Sequence, residues 1–249
     1  MAAHHIAARI VAWGGAVLFA CALLYFLFAY SVTFGEIVVG DFGPRAIVID
    51  VALFSVFALH HSVFARNRVR AFVRAFVPEQ LERSTYVWVA SLMLIGVCHS
   101  WRMVPGVLWQ VSRPWSWAIL AVQLWAVWLT LRSAAVIDGL ELAGLRQVLT
   151  SNSQLPTSAF AEATADKPAM KFETTGPYGW VRHPIYLGWM LLVFSVGTMT
   201  MTRFVFAAVS TSYLLIAIPL EEKTLRANAG AAYEDYIRRV PWKLIPHVY

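Results

Sequence analysis

Charge is what this chain of 249 residues has least of: Asp, Glu, Lys and Arg make up 14% of it, against roughly 25% in an ordinary soluble domain. The deficit is concentrated in long runs that carry no charge, and 59% of all residues are hydrophobic. That pattern excludes an ordinary soluble domain and points to a membrane protein. Cysteine is nearly absent. Cys21 and Cys98 both lie inside apolar runs, which argues against a disulfide framework and against a paired-cysteine metal or redox site. The glycine patterns of Rossmann and Walker nucleotide sites are missing. Cleavable signal peptides have a short apolar core, whereas the first apolar run, 10–30, is long enough to span, so it reads as a retained helix. The formal net charge is +6, but the basic residues sit in loops between apolar runs and no nucleic-acid motif accompanies them. Orientation in a bilayer explains them better than a nucleic-acid partner.

A helix that crosses a bilayer needs roughly 20 apolar residues. The runs that approach this are 10–30, 46–64, 85–99, 115–136, 185–201 and 204–220. Only Thr202 and Arg203 separate the last two, so a tight helical hairpin is expected there. The fold class is therefore all-α: a polytopic bundle of about six transmembrane helices with a C-terminal hairpin and an amphipathic cytoplasmic tail. Residues 1–145 would carry the first four spans, 146–173 a flexible cytoplasmic loop, and 174–249 the catalytic hairpin and tail. The stretch 151–168 is rich in Ser, Thr, Ala and Pro and has no periodicity, which marks a flexible loop or insertion.

Basic residues set the orientation. One side of the expected membrane holds Arg9, Arg66, Arg68, Arg70, Arg74, Arg83, Arg146, Lys167, Lys171, Arg182, Lys223, Arg226, Arg238, Arg239 and Lys243. The other holds Arg45, Arg102, Arg113 and Arg203. The positive-inside rule puts both termini, and the two largest polar regions, in the cytoplasm. A charged soluble cofactor would find its site there.

Two features carry chemistry. The first is the stretch 174–185, TTGPYGWVRHPI. Gly176-Pro177 marks a turn, and Pro184 suits the first position of a helix, where its missing N–H costs nothing. The amides of Ile185 and Tyr186 would then point out of the helix start, and a helix N-terminus attracts a carboxylate or phosphate. The same residues also suit a capped helix with an interfacial Arg-His-Tyr belt. The second feature is Glu221-Glu222, expected at the cytoplasmic end of the last span, where carboxylates oppose the helix dipole and lie close to hydrocarbon. Arg226 stands four residues beyond Glu222 and can pair with it. Glu221 has no such partner, and either a cationic ligand or solvent answers it. Beyond the glutamates a short amphipathic helix with Tyr233 and Tyr236 is expected to end near Pro241. The adjacent His60 and His61 project about 100° apart on a helix. They suit a buried hydrogen-bonding role, a substrate site, or metal or haem ligation; a shared metal is disfavoured, and no metal site is assigned.

RHPIYLG (182–188), then one hairpin, then Glu221-Glu222, then a Gly-Tyr-Tyr-Arg-Val-Pro tail resembles the integral-membrane methyltransferases that use S-adenosylmethionine, the family of the isoprenylcysteine carboxyl methyltransferases and phospholipid methyltransferases. The match covers roughly residues 170–246. HHSVFAR (60–66), LERSTYV (81–87) and LELAGLRQV (140–148) look like the bacterial branch of methanethiol S-methyltransferases and their NnrU-like relatives. The resemblance implies a methyltransferase in a bacterial inner membrane, with the lipid bilayer and a small lipophilic or thiol substrate as partners. It implies that Gln147, Lys171, Phe172, Glu173, Tyr178, His183, Pro184, Ile185, Tyr186, Glu221 and Glu222 bind the cofactor. Arg239, Arg226 and His61 are candidates for favouring the thiolate form of an acceptor. Where the prenyl-cysteine enzymes carry an arginine that meets the substrate carboxylate, this chain has Ala217 and Ile218, a departure that favours a thiol acceptor such as methanethiol. The thiol branch in turn often carries a less polar residue where this chain has Tyr186. Carboxyl or lipid-amine methylation is the alternative within the class; a non-catalytic haem- or metal-handling membrane protein is the alternative outside it.

Overall fold

A computed structural model describes residues 2–41, 43–64, 67–137, 139–150 and 176–249. In chain order they form α1 (Ala2–Ser31), α2 (Pro44–Phe64), α3 (Asn67–Arg74), α4 (Glu82–Ser100), β1 (Val107–Gln110), α5 (Trp115–Ile137), α6 (Gly139–Leu142), α7 (Arg146–Thr150), α8 (Pro184–Phe194), β2 (Thr198–Thr200), α9 (Met201–Ala229) and α10 (Ala231–Arg239). Short 3-10 turns lie at Thr33–Gly35, Glu79–Leu81 and Gly176–Gly179. The expected loop over 151–168 lies outside the described residues.

Among the described residues five stretches are long and apolar enough to cross a membrane: Ile6–Gly35, Pro44–Phe64, Glu79–Ser100, Trp115–Ile137 and Met201–Ala229. Many of their large apolar side chains are exposed, among them Ile10, Leu24, Leu59, Leu131 and Ile216. Water would penalise that surface, whereas lipid is its natural solvent. The chain is thus a mostly helical integral membrane protein.

The described residues fall into two compact units. The first takes in the residues up to Val107, 139–150 and Thr200–Phe206. Here α1 packs on α4 through a small-residue notch. The Trp88 indole lies against Gly14 and Gly15, where an added Cβ would come within 2.9 Å of it, and donates to the Val11 carbonyl at 2.9 Å. Phe206 is the hub of an aromatic cluster, with ring centroids 5.0–5.8 Å from those of Phe26, Tyr30, Phe34, Phe54 and Trp101. Such stacked, tilted and edge-on pairs add to the energy of burial alone.

The second unit takes in Leu108–Ile137, 176–199 and Ala207–Tyr249. Its centre is α8 against α5. A Cβ on Gly188 would stand 2.3 Å from Thr130 Oγ1 and 3.1 Å from the Ala126 carbonyl, so only glycine lets these backbones approach so closely.

The run expected to form the first arm of the hairpin is not helical throughout. The run 185–201 is helical only over Pro184–Phe194 and then extends into β2, paired with β1. This strand pair also qualifies the all-α expectation. The break is stable because its backbone finds partners: Trp109 Nε1 donates to the Val196 carbonyl at 3.1 Å, and the Val111 amide to that of Gly197 at 2.8 Å. Nor do Thr202 and Arg203 form the turn. Thr200 Oγ1 accepts the Arg203 amide at 3.1 Å, an N-cap that starts α9 at Met201. At its other end α9 continues two turns past the expected limit, to Ala229. Glu221 and Glu222 are therefore inside a helix, and the expected clash with its terminal dipole does not arise.

Candidate active site

The second unit gathers seven of the eleven expected cofactor residues at one corner. Tyr178 stands in the 3-10 turn, His183 precedes α8, and Pro184, Ile185 and Tyr186 form its first turn. Glu221 and Glu222 come from α9. Adjacent positions on a helix point about 100° apart, and the two carboxylates have different surroundings.

Glu222 faces inward. Its Oε1 accepts from Arg182 Nε at 2.8 Å and lies 3.4 Å from His183 Nε2. The Arg182 guanidinium also donates through Nη1 to the Val240 and Pro241 carbonyls, at 2.8 and 2.6 Å. The side chains of Arg182 and Glu222 are 4% and 7% exposed, so each depends on the other for its charge. The expected pairing of Glu222 with Arg226 is not formed. The nearer, buried Arg182 takes its place, and Arg226 Nε lies 3.4 Å from Glu234 instead.

Glu221 faces the open side, 44% exposed. Tyr186 Oη donates to its Oε2 at 2.9 Å, and His183 Nδ1 is 3.5 Å from the same oxygen. The His183 and Tyr186 rings stack with centroids 5.4 Å apart and planes 10° from parallel. Burial first, and the Glu221 charge second, push the Tyr178 phenol above its usual range. Tyr236 Oη donates to the Tyr178 carbonyl at 2.9 Å, tying α10 to the turn. Burial, opposed by the charges of Arg182 and Arg239, pushes the Tyr236 phenol up to about 12. Both rings are therefore neutral at physiological pH.

Of the two amides expected to point out of the start of α8, that of Tyr186 is taken by the protein, as are the two amides just before the helix. The Arg182 and His183 amides donate to the Trp242 and Lys243 carbonyls, both at 2.9 Å, and the Tyr186 amide turns back to the His183 carbonyl at 3.1 Å. What remains is a half-exposed carboxylate among aromatic faces, an arrangement suited to a cation.

Other expected residues have partners of their own. Arg239 is exposed at the end of α10, with Nε 3.4 Å from the Asp235 carbonyl. Gln147 and His61 belong to the first unit. Gln147 Oε1 accepts the Arg83 amide at 3.2 Å, and the His61 Nδ1 and Tyr86 Oη atoms are 2.5 Å apart. His60 stacks on Tyr86, with planes 7° from parallel. Among the described residues no cluster suited to a metal ion occurs. Lys171, Phe172 and Glu173 lie outside the described residues. The sequence did not disclose the roles of Arg182, Tyr236 and the 240–243 carbonyls. The three-residue spacing of Tyr233 and Tyr236 marks one helix face, but nothing in the spacing links that face to Arg182.

Comparison with known proteins gives the following. The profile of the isoprenylcysteine carboxyl methyltransferase (ICMT) family matches residues 156–227. The methanethiol S-methyltransferase of Mycobacterium tuberculosis is 37% identical, over 82% of this chain and 80% of its own length. That of Crocosphaera subtropica is 40% identical, over 82% and 76%. Methanethiol S-methyltransferase 2 of Bradyrhizobium diazoefficiens is 36% identical, over 82% and 75%. No solved structure matches the chain.

Proposed function

We propose that this chain, which belongs to the isoprenylcysteine carboxyl methyltransferase (ICMT) family, methylates a small thiol, methanethiol to dimethyl sulfide, with S-adenosylmethionine as donor. The observation that carries the site assignment is Glu221: a half-exposed carboxylate held by Tyr186 and flanked by stacked rings. That donor set fits a ligand bearing an ammonium and a sulfonium. When bound, S-adenosylmethionine supplies an activated methyl group on sulfur. Glu221 is the ammonium contact, and the rings of Tyr178 and Tyr186 offer π faces to positive charge. Glu222 is a positioning residue in this reading: its carboxylate is spent on Arg182 and His183 and so fixes the corner that Glu221 uses. Alignment of nucleophile and methyl, and exclusion of water, are the protein's main contributions to such a displacement. Arg239, exposed at the end of α10, is our candidate for favouring an acceptor thiolate, because Arg226 is engaged by Glu234. Ala217 and Ile218, in place of a carboxylate-binding arginine, support a thiol over a carboxyl acceptor.

We further propose six crossings, with both termini and the site in the cytoplasm of a bacterial inner membrane. The 11 helical residues of α8 cover only about 16 Å, but the extended residues after it add the rest of roughly 30 Å. Pairing of β2 with β1, which lies between α4 and α5, supports an exit on the side opposite Glu221.

Membranes containing the protein, supplied with S-adenosylmethionine and methanethiol, should release dimethyl sulfide into the headspace. No product, with methylation of a prenyl-cysteine analogue instead, would overturn the thiol assignment. Glu221→Ala should weaken cofactor binding at least tenfold, the worth of one charged contact of about 1.5–3 kcal/mol. Unchanged affinity would remove Glu221 from the site.

A further inference from the structure

Pro219, Glu222, Lys223 and Arg226 fall at i, i+3, i+4 and i+7 on α9 and so form one stripe of that helix. Together with Arg182 and Lys243 they line a cavity of about 320 Å³. Glu221 is turned away from this stripe toward Tyr186, so the cavity is distinct from the site proposed for the methyl donor.

Its electrostatics are lopsided. The one carboxylate in the lining, Glu222, is already met by Arg182 at 2.8 Å, and that buried pair forms part of the wall. Arg226 shares its charge with Glu234. Among the described residues neither Lys223 nor Lys243 has a carboxylate within ion-pair distance. Lys243 Nζ rests on Tyr249, 3.4 Å from its hydroxyl and 4.6 Å from its ring centre. The lining therefore holds an uncompensated pair of ammonium groups beside a shared guanidinium. A carboxylate is saturated by a single arginine fork, whereas a phosphate offers acceptors toward several cations at once. The depth of the cavity points to the source. Lys223 lies three residues past Leu220, the last apolar residue before the glutamates, or about 4–5 Å along the helix axis. That is where lipid headgroups meet a spanning helix.

We propose that this cavity binds a phosphate group, carried by an anionic phospholipid headgroup. The proposal does not depend on methyl transfer. The test uses the full chain in nanodiscs of phosphatidylglycerol mixed with phosphatidylcholine, with retained lipid read by native mass spectrometry. The wild-type protein should retain phosphatidylglycerol in preference to phosphatidylcholine. Lys223→Gln/Lys243→Gln should weaken retention about twenty-five-fold, at about fivefold for each lysine. Lys223→Arg/Lys243→Arg, which keeps the charges, should retain the lipid, and equal thermal midpoints for the two variants separate lost binding from lost folding. Inorganic phosphate, added in discs of phosphatidylcholine alone, distinguishes the sources. Saturable binding there that the Gln pair abolishes would keep the phosphate site but overturn the lipid as its source. Unchanged phosphatidylglycerol retention by the Gln pair, or displacement of the lipid by S-adenosylmethionine, would overturn the proposal.

Discussion

Arg182 stands just ahead of α8 and Arg203 in the first turn of α9, and both are buried, at 7% and 8% exposure. Arg182 meets a full negative charge on Glu222 and the carbonyls of Val240 and Pro241, far along the chain. Arg203 meets the last carbonyls of α1, with Nε 3.0 Å from the Tyr30 oxygen and Nη2 2.6 Å from that of Ser31. Its guanidinium fills the space left by Gly35, where a Cβ would come within 2.3 Å of Nη2. Arg203 thus caps a helix whose terminus carries about half a negative charge. Arg182 belongs to a buried ion pair, and its loss would leave the Glu222 charge with His183 alone. One arginine ends an element; the other joins two distant segments and shapes the site between them.

The largest expected effect tests that difference directly. Arg182→Gln strands Glu222 and should cost about 3–5 kcal/mol of stability, read by unfolding in detergent. Replacing the pair together, Arg182→Met with Glu222→Leu, should recover most of that loss, because a buried pair is often worth little net. Arg203→Gln should cost less, about 2–3 kcal/mol, since the carbonyls lose one charged donor without leaving a buried charge behind. If Arg203→Gln proves the costlier change, the contrast fails. Gly188→Ala tests the packing beneath Arg182. The new methyl meets Thr130 and the Ala126 carbonyl and should cost about 2 kcal/mol, partly restored by Thr130→Ala.

The smallest effect is one of pH. The Tyr236 phenol in the folded chain titrates at about 12, raised by burial, whereas the unfolded chain releases this proton near pH 10. The unfolded state therefore loses its proton first. The stabilising contribution is complete below pH 10 and is lost as pH rises through 12, about 1–2 kcal/mol in all. Tyr236→Phe should flatten that loss, as followed by proteolysis of the tail.

The membrane class was legible because long uncharged runs leave few other readings, and the meeting of RHPIYLG with the glutamates was legible from the motif. The division of labour between Glu221 and Glu222 was not. Helix spacing pairs Glu222 with Arg226, but the interior offers Arg182, some forty residues earlier in the chain, and burial strengthens that longer-range contact. Nor did the sequence reveal that Gly188 serves a helix crossing, since Thr130 lies in another element. The break after Phe194 was hidden because hydropathy counts side chains. Ser195–Thr200 stays apolar enough to pass as helix, while its carbonyls find Trp109 and the Val111 amide.

That break bears on biogenesis. A segment with 11 helical residues is too short to be retained by lipid on its own merits, and its extended remainder would expose unpaired backbone to hydrocarbon. Its partners at 107–111 lie earlier in the chain and leave the ribosome first. Insertion of this segment is thus conditional on a stretch already synthesised, and lesions at Trp109 should surface as failed membrane integration before they surface as lost turnover.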